Sequence, residues 1–335
     1  MVMMSGGVDS SVAAACLRDA GYEVTGVTLR LWGGPSDSGC CSVADVEDAR
    51  RVAAQLDISH YVFNLADEFT AAVVDPYTEA YAAGITPNPC VECNRTMKWG
   101  RALERARALG FDAVATGHHA RVVAGAHGPE LARGADRAKD QSYVLALLGA
   151  DEIAATLLPI GDLTKAEVRD QARELGLRTA DKRESMDACF IERGGREAFL
   201  GARIPRRPGA IVDVDGATVG AHDGIDRFTI GQRRGLGVAA GERRFVVDLC
   251  ASSATVTVGS RDALLRDRLG VRDVVRRGGW PDRLLVQTRA HGDAVAARLV
   301  GDEVHFVEPQ PRVAPGQVVA FYDGDRCVGG AIAEA

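Results

Sequence analysis

The stretch Ser5-Gly6-Gly7-Val8-Asp9-Ser10-Ser11 joins a short apolar segment, 1–4, to a segment of helical periodicity, 9–20. A loop between a strand and a helix presents backbone N–H groups that have no partner within the helix, and the helix dipole favours phosphate at that end. The stretch lacks the lysine of the GxxxxGK[ST] loop. It therefore predicts a phosphate-binding loop of another kind. The alternative is a plain tight turn in which Asp9 and Ser10 cap the helix.

Predicted strands and helices alternate along the first two hundred residues. Strands are predicted over 1–4, 23–31, 60–64 and 113–116, and helices over 9–20, 42–56, 68–83 and 95–109. Thr164 and Glu167 form a capping box that opens a further helix, which ends at Gly176. Such alternation indicates an α/β fold with a doubly wound parallel sheet.

The sequence changes in character after Phe199. Pro205, Pro208 and Gly209 mark a linker. Short β-rich runs separated by Gly, Asp and Pro then follow at 211–214, 244–249, 254–258, 284–288 and 318–322. This pattern predicts small β-barrel or sandwich modules.

The composition excludes several classes of protein. No apolar run approaches the roughly 18 residues that a membrane-spanning helix needs, and residues 1–7 carry no secretory signal. A cytoplasmic protein with reduced cysteines is therefore expected. The net charge is −6, yet residues 201–290 hold 16 Lys+Arg against 10 Asp+Glu. This basic segment is either a phosphate-binding surface or a solvated face, and charge alone favours the solvated face.

Cysteines supply a second kind of chemistry. Cys90 and Cys93 form a C-x-x-C motif, and a helix predicted to begin near Asn94 would place Cys93 at its N-terminus, where the dipole lowers a thiol pKa. A zinc site completed by Cys40 and Cys41, or an inert buried pair, are the alternatives. Cys189 lies in an apolar context that is more typical of a core thiol than of a nucleophile. Spacing alone does not couple it to Cys93.

Seven motifs occur in a fixed order along the chain. They are SGGVDSS at 5–11, TPNP at 86–89 with CN at 93–94, ATGH at 115–118, KDQSY at 139–143, CFI at 189–191, TIGQRRGLG at 229–237, and PGQ at 315–317 with GG at 329–330. The first resembles the pyrophosphate-binding (PP) loop of the ATP pyrophosphatase superfamily. The whole set resembles the MnmA (TrmU) family of tRNA-specific 2-thiouridylases, over essentially the entire chain. The resemblance implies a catalytic domain of the adenine nucleotide alpha hydrolase type over 1–199, a small central tRNA-binding domain over 200–259 and a C-terminal β-barrel over 260–335.

The resemblance also implies a reaction. The family uses ATP, with Mg²⁺, to adenylate the C2 oxygen of the wobble uridine in tRNAs for lysine, glutamate and glutamine. Sulfur then displaces AMP. By family match, Cys189 carries the sulfur as a persulfide. Either the persulfide attacks C2 directly, or Cys93 releases hydrosulfide by forming a disulfide with Cys189. The implied partners are tRNA and a persulfide-donating sulfur carrier or cysteine desulfurase.

Further site residues follow from the same resemblance. The ATP-binding residues are Met3, Met4, Ser5, Gly6, Gly7, Val8, Asp9, Ser10, Leu29 and Gly117. The target base is expected at Asn88, Pro89 and Cys90, and the remaining tRNA contacts at His118, Lys139, Asp140, Gln141, Arg289, Ala290 and Gln317. For His118 a structural hydrogen bond is the alternative. Candidate phosphate contacts in the basic segment are Arg203, Arg206, Arg207, Arg233, Arg234, Arg243, Arg244, Arg276, Arg277 and Arg289.

Two departures from the family pattern are visible. Cys90 stands where relatives carry an aspartate proposed as an acid/base group, so that three thiols, Cys90, Cys93 and Cys189, are available. Three thiolates match a [4Fe–4S] cluster with one open iron, which is the alternative route for sulfur. Only four residues precede Ser5, which suggests a start codon further upstream. Two other functions stay open from the residues alone, namely an ATP-dependent ligase or amidotransferase-type synthetase acting on a small molecule, and a zinc- or redox-dependent nucleic-acid-binding module.

Overall fold

The computed structural model describes residues 1–32, 42–182, 188–191, 195–238 and 243–334. Cys40 and Cys41 lie outside the described residues. The first part of the chain forms strands β1 (Val2–Met3), β2 (Thr25–Arg30), β3 (Ser59–Asn64), β4 (Val114–Ala115), β5 (Ala120–Gly125), β6 (Gly128–Arg133) and β7 (Thr156–Leu157). Its α-helices are α1 (Val8–Asp19), α2 (Val43–Gln55), α3 (Ala66–Phe69), α4 (Asp75–Ala82), α5 (Pro89–Glu92), α6 (Leu103–Ala108), α7 (Ala150–Ala154) and α8 (Lys165–Glu174).

Five parallel strands form the central sheet in the order β3-β2-β1-β4-β7. Side chains alternate between the two faces of a strand. Met1 and Met3 accordingly pack in one apolar core, and Val2 and Met4 pack in another. Both faces are covered, which confirms the doubly wound parallel sheet. The loop at 5–11 follows β1, where the strand order reverses, and ligands of such sheets bind at this switch point.

The ends of several helices follow from their capping residues. Ser42 caps α2 by accepting a hydrogen bond from the amide of Asp45 at 3.1 Å, and Thr164 and Glu167 form the predicted capping box at α8. The helices predicted over 68–83 and 95–109 are both present; the first has nearly the predicted limits, whereas the second begins six residues earlier than predicted. The first helical segment begins at Ala66 and contains a π-helical stretch, Thr70–Val74. The second begins at Pro89 and contains another, Cys93–Ala102. A π-helix bonds residue i to i+5, so a search for a 3.6-residue period misses it.

The later part of the chain is built from two β-sheets. A four-stranded sheet has the order β10-β11-β8-β9 and consists of β8 (Gly209–Asp213), β9 (Thr218–His222), β10 (Phe245–Cys250) and β11 (Thr255–Gly259), after helix α9 (Gly195–Gly201). A six-stranded barrel, closed by pairing of β12 with β17, consists of β12 (Leu265–Arg276), β13 (Leu284–Gln287), β14 (Val295–Val300), β15 (Glu303–Pro311), β16 (Val318–Asp323) and β17 (Arg326–Ala333). The predicted β-rich character of this half is confirmed.

The barrel and the α/β domain are joined in two ways that the sequence did not predict. The hairpin β5–β6 leaves the α/β domain after β4 and extends the barrel sheet, with Ala132 opposite Arg326. Arg277 is 6% exposed and donates hydrogen bonds to the carbonyls of Ala146 and Cys327, both at 2.8 Å. Its interpretation as a phosphate contact is therefore wrong, because the guanidinium is used to hold the two domains together.

Candidate active site

The loop at 5–11 leaves the N-terminus of α1 open to an anion. Gly7 is the N-cap and has no side chain to satisfy the first amides of the helix. The hydroxyls of Ser10 and Ser11 both donate to the carbonyl of Gly7, at 3.2 and 2.8 Å, and Ser10 also accepts from the amide of Ser5 at 3.1 Å. These bonds fix the loop around the helix end. The amides of the first turn are thereby left available to bind an anion.

Lys182 connects the loop at 5–11 to helix α2. Its ammonium donates to the carbonyl of Gly6 at 3.0 Å and to the carboxylates of Asp45 and Asp48 at 2.6 and 2.7 Å. Burial lowers the pKa of Lys182, but the hydrogen bonds to Asp45 and Asp48 raise it by more, so the net shift is upward. Lys182 therefore stays charged and ties the loop to α2.

Asp9 is the carboxylate of the loop. It accepts two hydrogen bonds from the ammonium of Lys165, at 2.6 and 2.7 Å, and its Oδ1 lies 3.4 Å from Nε2 of His119. Burial raises the pKa of Asp9, but hydrogen bonds with His119 and Lys165 lower it by more, so the net pKa falls below the ordinary value. Asp9 is thus a fixed negative charge that is already paired within the protein.

Replacing Lys165 by methionine is expected to lower the free energy of unfolding at pH 7 by about 1–3 kcal/mol, because the carboxylate of Asp9 loses a charged hydrogen-bond donor. The folded-state pKa of Asp9 is depressed. Its contribution is therefore complete above the unfolded pKa of about 3.9 and is lost as the pH falls through the folded pKa. Urea unfolding at pH 7, 5 and 3 should show a difference that shrinks only below about pH 4. Arg18→Met removes an exposed pair with Asp19 and is the matched control. A difference that persists undiminished at pH 3 contradicts this assignment.

A cavity of 210 Å³ opens beside the loop. It is lined by Met3, Met4, Ser5, Asp9, Ser10, Leu29, Leu31, Lys98, Thr116, Gly117, His118 and Gln141. Seven of the ten predicted ATP residues thus line a single cavity, whereas Gly6, Gly7 and Val8 lie behind it as loop backbone and core. Gly117 must be glycine, because a Cβ there would lie 2.5 Å from backbone atoms of Asp9 and Ser10. Leu31, Lys98 and Thr116 were missed by the sequence analysis.

His118 is buried within the wall of this cavity. Its Nδ1 lies 2.6 Å from the hydroxyl of Thr116, and its ring packs against Trp99 with centroids 5.6 Å apart. Burial, and then the charge of Lys98, lower the pKa of His118 well below the ordinary value. The imidazole is therefore neutral at physiological pH, and its burial and bond with Thr116 favour the alternative of a structural hydrogen bond over the predicted tRNA contact.

A second cavity gathers the residues expected at the target base. It is lined by Asn88, Pro89, Cys90 and Gln317, together with Tyr77, Tyr81, Thr86, Pro87, Ala188, Ile191, Gly195, Arg196 and Glu197. Cys90 is exposed, and Ala188 and Ile191 flank Cys189 in the chain. The structure therefore brings the TPNP segment and the Cys189 segment to the same cavity, although about a hundred residues separate them.

The position predicted for Cys93 is wrong. The helix begins at Pro89, and the side chain of Asn88 caps it by accepting from the amides of Cys90 and Val91 at 3.1 and 3.3 Å. Cys90 occupies the first turn, whereas Cys93 begins the π-helix that follows and is 8% exposed. Because the dipole acts within the first turn, the argument made for Cys93 applies to Cys90 instead. Cys93 and Cys189 pack against the same apolar core, and no disulfide joins any of the cysteines that are described.

The predicted tRNA contacts divide into surface and interior groups. Arg289 and Ala290 are exposed on a turn whose carbonyls accept from Gln287, and Lys139 is half-buried. The carboxylate of Asp140 accepts from Arg133 at 2.8 Å and from the hydroxyl of Ser142 at 2.9 Å, so it serves the interior. Gln141 accepts from the amide of His119 at 2.8 Å. Gln317 donates to the carbonyl of Thr86 at 2.6 Å and so connects the barrel to the TPNP segment.

The described residues form neither a metal site nor a membrane-spanning helix. Within the described ranges, no three His, Cys, Asp or Glu side chains are close enough to hold a metal ion, and Cys90, Cys93 and Cys189 are among the residues covered. The three thiols therefore do not form a cluster site in this conformation. No helix among the described residues combines the length and the apolar character needed to cross a membrane.

Comparisons with known proteins agree along the whole chain. Three family models match in succession, namely the tRNA methyl transferase HUP domain at 1–193, the tRNA methyl transferase PRC-barrel domain at 197–260 and the aminomethyltransferase beta-barrel domain at 278–333. The chain is 48% identical to a tRNA-specific 2-thiouridylase MnmA of Roseiflexus sp. (strain RS-1), covering 98% of this chain and 97% of the relative. It is 47% identical to one of Mycolicibacterium paratuberculosis, covering 99% and 97%. Among solved structures, the U34-tRNA thiolase NcsA of Methanococcus maripaludis is 15% identical, with a TM-score of 0.37 over 60% of this chain and 61% of that one.

Proposed function

Because the chain belongs to the MnmA family of tRNA-specific 2-thiouridylases, we propose that it replaces the C2 oxygen of the wobble uridine with sulfur in tRNAs for lysine, glutamate and glutamine. The family establishes an ATP-using tRNA sulfurtransferase. The tRNA identities, the persulfide route and a cytoplasmic location are part of the proposal. The observation that supports it best is the single cavity formed by the loop at 5–11, Leu29 and Gly117.

The first step is activation of the uridine. Uracil C2 is a poor electrophile because its oxygen is a poor leaving group. Attack of that oxygen on the α-phosphorus of ATP expels pyrophosphate and converts the oxygen into part of an AMP leaving group. In our proposal the open N-terminus of α1 and the hydroxyl of Ser5 stabilise the phosphates, while the hydroxyl of Ser10 holds the loop through its bond to the carbonyl of Gly7. Mg²⁺ bound to ATP would neutralise phosphate charge. Asp9 is the carboxylate lining the cavity, so most ligands of the ion would come from ATP and water.

The second step transfers sulfur. In our proposal a partner first loads Cys189 as a persulfide. The thiolate of Cys93 attacks the inner sulfur of that persulfide, a Cys93–Cys189 disulfide forms and hydrosulfide is released. Hydrosulfide adds to C2, AMP leaves with the original oxygen, and 2-thiouridine results. Alternatively the outer sulfur attacks C2 directly, and Cys93 then breaks the remaining S–S bond. Both routes consume two electrons held as thiols, so a dithiol reductant must reduce the disulfide after each turnover.

The proposal is tested by incubating the protein with ATP, Mg²⁺, an unmodified lysine tRNA transcript, cysteine and a cysteine desulfurase. Nucleoside mass spectrometry should find 2-thiouridine, and pyrophosphate should be released only when tRNA is present. A transcript with cytidine at the wobble position is the control and should give neither product. Pyrophosphate release that is independent of tRNA would favour a ligase acting on a small molecule. ATP binding without turnover would favour a nucleic-acid-binding module.

A further inference from the structure

We propose that Lys98 binds the α-phosphate of ATP and of the adenylated uridine, an inference that rests on the adenylation proposed above. Lys98 lies in the wall of the ATP cavity together with Ser5, Ser10 and Gly117. Its side chain is half-buried, and its charge contributes to the depressed pKa of the neighbouring His118. A positive charge therefore stands in the wall of a cavity that the loop at 5–11 also lines.

The other two lysines near the loop already have carboxylate partners. Lys165 is paired with Asp9, and Lys182 with Asp45 and Asp48. Lys98 forms no ion pair with any residue in the described part of the chain, although it is half-buried. A charge removed from water needs an opposite charge. In a cavity that presents hydroxyls and amides to phosphate, that charge is supplied by the ligand.

The π-helix indicates which of the three phosphates of ATP Lys98 contacts, namely the α-phosphate. Lys98 follows Cys93 by five residues within Cys93–Ala102. In an α-helix of 3.6 residues per turn, residues five apart lie about 140° apart around the axis. In a π-helix the i→i+5 hydrogen bond joins such a pair, so both lie on one side. The side chains of Lys98 and Cys93 therefore leave the helix on the same side. If Cys93 takes part in sulfur transfer to C2 as proposed, the phosphate nearest to Lys98 is the α-phosphate, because it is bonded to the C2 oxygen.

Residue usage supports the same assignment. The chain has 40 lysines and arginines, and only four are lysines, namely Lys98, Lys139, Lys165 and Lys182. Lys98 lines the ATP cavity, Lys165 is bonded to Asp9 in its wall, and Lys182 is bonded to the loop at Gly6. An ammonium is a compact charge on a flexible chain, whereas a guanidinium is a broad planar group. A cavity of 210 Å³ that must also hold a nucleotide favours the smaller group.

Equilibrium binding of AMP, adenosine and inorganic pyrophosphate to the full chain, measured by calorimetry, tests the proposal. Lys98→Ala should weaken AMP binding about tenfold, since a charged hydrogen bond is lost, while adenosine and pyrophosphate affinities stay within about twofold. Lys98→Arg should recover part of the loss. Arg101→Ala is the matched control, because Arg101 lies on the same π-helix but is exposed and paired with Glu104. It should change none of the three affinities.

Three outcomes would overturn the assignment. They are unchanged AMP affinity in Lys98→Ala, an equal loss for adenosine and AMP, and a loss confined to pyrophosphate. Thermal melting of each variant excludes unfolding as the cause of an equal loss. These results are independent of the thiolation assay. If the unaltered protein forms no 2-thiouridine, the proposed function fails, while the contact of Lys98 with AMP is still decided by binding.

Discussion

Serine in place of either Cys93 or Cys189 is expected to reduce 2-thiouridine formation by at least about three orders of magnitude, while tRNA-dependent pyrophosphate release continues. A hydroxyl neither carries a persulfide nor reduces one, and loss of a nucleophile removes nearly all of a covalent mechanism. In the proposed mechanism adenylation uses the loop at 5–11 and not the thiols, so the two half-reactions should separate. Pyrophosphate and thiouridine are measured in the same reaction.

Cys90 distinguishes the two routes for sulfur. If sulfur passes through a persulfide and a disulfide, Cys90→Ser should keep most of the activity, and a peptide linking Cys93 to Cys189 should accumulate in a single turnover without reductant. If a cluster carries the sulfur, all three variants should be inactive and activity should be lost in air. Full activity of Cys93→Ser or Cys189→Ser would contradict both routes.

Cys250 serves as a control, because it is a reactive thiol outside the proposed site. For the same reason it would also react in experiments that label the site cysteines. Hydrogen bonds with Ser252 and Ser253 lower the pKa of this exposed thiol to about 7. Near neutral pH it is therefore half thiolate and reacts with alkylating reagents. Cys250→Ser should leave thiolation unchanged. Labelling of Cys90, Cys93 and Cys189 is best done in that background.

Local sequence predicted the parts of the site that depend on neighbouring residues. The heptad at 5–11, the strand before it and the helix after it are contiguous, and so are the capping residues Ser42 and Thr164. Alternation of strands and helices was enough to predict the parallel sheet. These features need no knowledge of distant contacts.

Features that depend on long-range packing or on an unusual helix were not predictable in this way. The π-helix that begins at Cys93 has no distinct sequence period, so both the burial of Cys93 and the alignment of Lys98 with it were missed. The carboxylate of Asp140 forms an ion pair with Arg133, which lies on the hairpin β5–β6 that the sequence did not predict. The bond from Gln317 to Thr86 joins residues 231 positions apart. The scarcity of lysine was the one available signal for Lys98.

Alanine at Gly6 is expected to lower ATP affinity by about two orders of magnitude. Gly6 has a φ of +71°, and a Cβ there would lie 2.3 Å from the carbonyl oxygen of Asp45. The left-handed conformation costs an L-residue about 1–2 kcal/mol, and a collision with backbone adds about 1–3 kcal/mol. The carbonyl of Asp45 is held close to Gly6, so the collision is not easily relieved by movement of Asp45. The ammonium of Lys182 donates both to the side chain of Asp45 and to the carbonyl of Gly6.

Gly21→Ala is the control that separates the cost of the left-handed backbone conformation from the cost of the steric collision. Gly21 has a φ of +86°, but no atom lies within 4 Å of the position of its Cβ, so only the conformational cost applies. Both variants should therefore lose some stability to urea, while only Gly6→Ala should lose ATP binding in calorimetry. The reason is linkage: a loop that adopts its binding conformation in about one molecule in a hundred binds with about a hundredth of the affinity. If Gly6→Ala binds ATP as tightly as Gly21→Ala does, the loop at 5–11 does not hold the phosphates, and the assignment of the cavity fails with it.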